Sequence, residues 1–146
     1  VEAPVAGSMI LAGLMLSIGG YGIIRFMFIN EFFFMNYSFV WFSVSIYGCF
    51  LVSLICFIQG DIKSLIAYSS ISHMSIGLMG LLSMTKIGVI GCVFLMLSHG
   101  LCSSALFCMS NMFYERIFSR SFFISSGMIY FMPSLSLFWF FFCCFN

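Results

Sequence analysis

The chain has 146 residues, 63% of them hydrophobic and 6% charged, with a formal net charge of +1. So little polar surface could not cover a water-soluble domain of this size, so the solvent is lipid. A near-neutral chain without a basic cluster also excludes nucleic acid and polybasic attachment to a membrane surface, and its partners are expected within the bilayer.

A hydrocarbon core of about 30 Å needs roughly 20 apolar residues per helix, and the few charges cut the chain into segments of that length. The prediction is an all-α, polytopic membrane bundle of about five spans, one transmembrane domain over 1–146. The first span covers 5–29; Pro4 suits its first turn, and Arg25 near its end can snorkel to the interface. The second covers 38–58, with Trp41 near its start as an interfacial anchor. Gln59-Gly60-Asp61 then leads into a third span over 62–83. The fourth, over 87–112, lies between Thr85-Lys86 and Tyr114-Glu115-Arg116, and the last, over 122–146, starts at Phe122 or after Pro133. No ten-residue alternation supports a barrel, the only other architecture that satisfies its backbone in lipid. Lys63, Arg116 and Arg120 at one end outweigh Arg25 and Lys86 at the other, which puts the N-terminal end inside. Because it begins Val1-Glu2-Ala3-Pro4, with neither an initiator methionine nor a leader, the chain is expected to be a piece of a longer or processed protein. No internal repeat or soluble linker stands out.

All seven cysteines lie in apolar stretches without a CxxC pair. They read as small residues that let helices approach, not as metal ligands or a disulfide framework. The excess of phenylalanine reflects codon usage and points to no site.

The expensive residues are those at mid-membrane: Ser17 in the first span, His73 in the third and His99 in the fourth. An ionisable group in hydrocarbon costs a few kcal/mol (~2.5–3.5 on insertion scales), so it faces a bundle interior or a hydrated cavity. Around His99, the residues Gly88, Cys92, Cys102, Ser103 and Ser110 share one helical face with Leu95 and Leu106, while Ile90, Phe94, Leu97 and Leu101 point away. The third span is polar on more than one side, with Lys63, Ser69, Ser70 and His73 on one face and Ser64, Tyr68, Ser72 and Ser75 on the other, so it belongs inside a bundle. Ser69 is one turn from His73 and Ser103 one turn from His99, where each hydroxyl could fix an imidazole tautomer. Imidazole titrates near neutrality and can take a proton on one nitrogen while releasing it from the other, which favours a proton path. Three other readings stand beside it: histidines that only hydrogen-bond a neighbouring helix, axial ligation of a haem, and a Lys63 that merely snorkels to water or pairs with Asp61.

Three ordered runs narrow the field: Val1-Glu2-Ala3-Pro4-Val5-Ala6-Gly7-Ser8-Met9; Gln59-Gly60-Asp61-Ile62-Lys63-Ser64-Leu65-Ile66-Ala67-Tyr68-Ser69-Ser70-Ile71-Ser72-His73-Met74; and Ser98-His99-Gly100-Leu101-Cys102-Ser103-Ser104 with Tyr114-Glu115-Arg116 after it. Together they resemble the subunit 4 family of mitochondrial NADH dehydrogenase, the ubiquinone-linked respiratory complex I, over essentially the whole chain. The resemblance implies an antiporter-like membrane-arm subunit of the inner membrane, built of inverted helical repeats about a hydrated axis. Electron transfer from NADH to ubiquinone elsewhere would drive proton translocation, with no cofactor on this chain, other membrane-arm subunits and lipid as partners, and no soluble substrate bound directly. It places Lys63, His73 and His99 on or near the proton path, with Arg120 and Glu2 as supporting positions, and implies a lysine where this chain has Ser17. Either the path runs through water beside Ser17, or the codon is read as lysine in the organism. A resemblance that covers about a third of the family's length further implies that the axis is completed outside the chain. The alternatives are a cation/proton antiporter subunit and a structural membrane element without transport.

Overall fold

The computed structural model describes residues 2–146, so Val1, which opens the first of those runs, lies outside the described residues. Among the described residues the chain forms five helices: α1 (Val5–Ile29), α2 (Glu31–Ile58), α3 (Ile62–Leu82), α4 (Lys86–Ile117) and α5 (Pro133–Phe145). The all-α membrane architecture expected from composition is the one observed, and α1 through α4 are long and apolar enough to cross a membrane.

Three boundaries depart from the hydropathy pattern. Helix α2 starts at Glu31, which leaves Trp41 within the helix and not at its entrance; a carboxylate in the first turn favours an early start by complementing the helix dipole. Helix α4 runs past Met112 to Ile117, through a turn where Asn111 Nδ2 donates to Glu115 Oε1 at 2.7 Å. The span expected over 122–146 is helical only from Pro133, after a run of turns in which Gly127 has φ +81°. Proline lacks an N–H and starts a helix readily, and the resulting 13 residues extend about 20 Å, short of the hydrocarbon thickness. That fifth span is therefore not among the helices long enough to cross.

Helices α1, α3 and α4 enclose the interior. Ala12, Ile62, Ile66, Leu106 and Phe107 form one cluster, and Ile24, Leu81, Cys92 and Met96 another. A third, of Met109, Phe113, Met132 and Leu135, docks α5 and the segment before it against the end of α4. Helix α2 runs along α3 on the outside and buries a single residue, Ser45. Where α1 crosses α4 the backbones nearly touch: a Cβ added to Gly100 would lie 2.9 Å from the carbonyl oxygen of Gly13. Small residues permit such close approach, and in lipid packing of this kind does the work that hydrophobic burial does in water. At this crossing α1 is underwound into a π turn over Leu11–Met15, with the N–H of Leu16 bonded to the carbonyl of Leu11, a device that shifts a helix face by one residue.

Candidate functional site

Helix α3 is polar on two sides because it is packed on two sides, by α2 and by α4. Lys63, Ser64, Ser70 and Ser75 are buried. On α4 the predicted inward face is the buried one, with Cys92, His99, Ser103, Leu106 and Ser110 inside, while Ile90, Phe94, Leu97 and Leu101 are exposed to the bundle exterior. Cys92 contributes by being small, since a Cβ on Gly77 of α3 would meet its Sγ at 3.5 Å.

In the middle of this seam His73 of α3 and His99 of α4 come together. Their ring centroids are 5.5 Å apart and the ring planes are tilted by 33°. His99 is 5% exposed, His73 is half-buried, and Nε2 of His99 has no hydrogen-bond partner among the described residues. Two imidazoles at this separation can exchange a proton directly or across one water. A second proton on the pair would set two like charges side by side in a low-dielectric seam, so the pair suits one proton at a time.

The neighbouring hydroxyls do not take the role expected of them. Ser69 Oγ donates to the carbonyl of Ile66 at 2.8 Å, and Ser103 Oγ turns to the carbonyl of Gly100 at 3.5 Å. A serine inside a helix has a carbonyl of its own previous turn within reach, and that local bond outcompetes the imidazole one turn away. Neither hydroxyl sets a histidine tautomer here.

Lys63 is 4% exposed and makes no ion pair with Asp61 or with another described residue, which counts against the alternative of a lysine that snorkels or pairs with Asp61. It lies about 15 Å from His73 along α3, at 1.5 Å per residue. Its neighbour in charge is Arg120, whose carbonyl accepts from the N–H of Ile62 at 3.1 Å and whose guanidinium lies 5.2 Å from the ring centre of Tyr114. The segment after α4 is thereby tied to the start of α3. Along α3 from Ile62 to Ser69 runs a partly open cavity of about 370 Å³, also lined by Trp139, Cys143 and Asn146. Its walls are mostly apolar, and Ser69 and Asn146 are the polar side chains at which water could be held.

Ser17 sits apart from the pair. Its Oγ donates back to the carbonyls of Gly13 and Leu14, at 2.9 and 2.8 Å, and it lines a groove between α1 and α4 with Met96, Gly100 and Ser104. Glu2 is exposed ahead of α1. The structure thus unites His73 with His99, keeps Ser69 and Ser103 beside them without a bond, leaves Ser17 on the adjoining groove, and gathers Lys63 and Arg120 at one end. The Gly13–Gly100 crossing that seats α1 on this seam went unread in the sequence. Its signal is the spacing of Gly13, Ser17 and Gly20 along one face of α1.

The whole chain, residues 1–146, matches the family model described as NADH:quinone oxidoreductase/Mrp antiporter, TM. Among similar curated proteins are those named NADH-ubiquinone oxidoreductase chain 4 from three animals. The Aedes aegypti protein is 55% identical over 98% of this chain and 32% of its own length. The Ceratitis capitata protein is 51% identical over 96% of this chain and 31% of its own. The Lumbricus terrestris protein is 44% identical over all of this chain and 32% of its own. The chain therefore spans about a third of the length of the curated relatives it matches.

Proposed function

Because the chain belongs to the NADH:quinone oxidoreductase/Mrp antiporter transmembrane family, we propose that it is part of a membrane-arm subunit of respiratory NADH:ubiquinone oxidoreductase in the mitochondrial inner membrane, and that His73 and His99 pass protons through its centre. The observation that carries this reading is the close approach of the two imidazoles, their centroids 5.5 Å apart in a buried seam between crossing helices. The names of the relatives favour the respiratory enzyme over a separate cation antiporter.

In this reading the chain moves protons and holds no redox centre; NADH and ubiquinone react on other subunits, and the remaining membrane-arm subunits and lipid are its neighbours. Water in the cavity beside Ser69 links the charged end of α3 to His73. His73 accepts a proton on one ring nitrogen and releases one from the other to His99, or the reverse, according to which side of the path is charged. Lys63 and Arg120, two neighbouring cations at the start of α3, bias that occupancy by repelling a proton as it nears them and pushing it onward. Ser17 serves as a hydrogen-bonding hydroxyl at the edge of the path and carries no charge.

The test uses the full-length protein in its assembled complex, with His73→Gln, His99→Gln and the double variant reconstituted in vesicles. Each single change is expected to slow proton movement through this subunit by about 100-fold or more, the range for losing one positioned acid–base group, and so to lower the protons moved per NADH oxidised. The double variant should be no worse than either single, as for residues acting as a unit. An unchanged proton ratio in an assembled His99→Gln complex would take the pair off the path.

A further inference from the structure

A second feature lies at the opposite end of the bundle from Lys63 and is independent of proton transfer. Where α1 ends, α2 begins and α4 begins, a cleft of about 480 Å³ opens between the helices. Its walls are apolar, built from side chains that include Met27, Met35, Val89 and Ile90, and two charges of opposite sign face it, Glu31 from α2 and Lys86 from α4. Glu31 and Lys86 are not paired with each other, and neither has an ion pair or hydrogen bond to another described side chain. Opposite charges that share a cleft without meeting are complementary to a ligand that carries both.

We propose that this cleft holds the headgroup of a phosphatidylethanolamine, its phosphate on Lys86, its ammonium on Glu31 and the start of one acyl chain along Met27, Met35, Val89 and Ile90. The position fits a lipid, because the charges lie at helix ends, the level of bilayer headgroups, and the apolar wall continues from them toward the membrane centre. The size lies within the range of small-molecule pockets, roughly 300–1,000 Å³. Charge complementarity selects the headgroup. An anionic phospholipid would satisfy Lys86 and leave Glu31 facing a like charge. A choline headgroup carries the positive charge but has no N–H to donate, whereas the primary ammonium of ethanolamine donates charge-assisted hydrogen bonds to a carboxylate.

The experiment is photolabelling of the full-length protein in its purified complex, in vesicles containing a trace of phosphatidylethanolamine with a diazirine near the start of one acyl chain. Adducts are expected on the peptides carrying residues 27–35 and 84–90. Unlabelled phosphatidylethanolamine should compete about threefold better than phosphatidylcholine with the same chains, the preference one partly exposed charge-assisted contact supplies. Glu31→Gln should abolish that preference while keeping the labelling, Lys86→Gln should weaken labelling by both lipids, and Lys86→Arg should restore it. Equal competition by the two lipids in the unmodified protein, stronger competition by phosphatidylglycerol, or labelling absent from both peptides because protein covers the cleft would each overturn the proposal. The competition in the unmodified protein decides the matter even if a variant fails to assemble, and no outcome depends on proton movement.

Discussion

Helices α2 and α3 lie side by side and are built to opposite rules. Helix α2 is the more apolar of the two, with Glu31 its single charge, yet Ser45 is its only buried residue. Helix α3 carries five serines, a lysine and a histidine, and buries Lys63, Ser64, Ser70 and Ser75 along with Ile62, Ile66, Gly77 and Leu81. In water the more apolar helix would be the inner one. In lipid, apolar side chains are as well solvated outside as inside, so burial follows polarity and small size instead. Helix α4 repeats the lesson around its own circumference, with His99, Ser103 and Ser110 inside and Phe94, Leu97 and Leu101 outside.

If that contrast governs the molecule, substitutions should fall in a definite order. The largest effect is expected at the backbone crossing of α1 and α4. Gly100→Leu would drive a side chain into the Gly13 carbonyl and should cost about 3 kcal/mol or loss of assembly, read from the amount of intact complex and its unfolding in detergent. Near-normal stability would mean that α1 and α4 do not cross this closely. Next comes Lys63→Met, which removes a buried charge that has no ion pair among the described residues. Stability should rise by about 1–2 kcal/mol, since an apolar isostere often replaces buried charge at a gain, while proton movement falls. A loss of stability would reveal a carboxylate partner in the rest of the protein. Ending α4, Phe118 holds φ 56° while 80% exposed, so Phe118→Gly should add about 0.5–1 kcal/mol by relieving a left-handed residue; a neutral result would point to a lost contact of the phenyl ring. Smallest of all is Phe39→Leu on the outer face of α2, where the ring is 70% exposed. Within about 0.5 kcal/mol of no change is expected, and a larger drop would show that this face is covered by protein.

Much of the fold was legible from the chain alone because hydropathy and length act locally. The first and third spans were placed within a residue of α1 and α3, since Pro4, Asp61 and Thr85 interrupt apolar runs at places where a helix must start. For segment 122–146 two starts were open, Phe122 or after Pro133, and the backbone takes the second, with a turn at Gly127 and the helix beginning at Pro133. Both histidines could be singled out by depth, and the inward face of α4 by its small residues. What could not be read was whether the imidazoles meet, since that depends on how two helices are rotated about their axes and how closely they cross. The roles imagined for Ser69 and Ser103 failed for a related reason: spacing puts a hydroxyl within reach of a ring without saying which acceptor wins.

From its sequence, then, the chain was bound to be a helical membrane bundle with ionisable groups held inside, because a bilayer penalises every exposed polar group and the penalty can be counted residue by residue. Tertiary structure alone decided that His73 stands against His99, that Lys63 is buried beside Arg120, and that Ser17 faces a separate groove. Those outcomes rest on helix crossings set by glycines such as Gly13 and Gly100 between α1 and α4 and Gly80 and Gly88 between α3 and α4, where the close approach of two backbones fixes which faces meet; glycine spacing along one helix marks a contact face but not its partner.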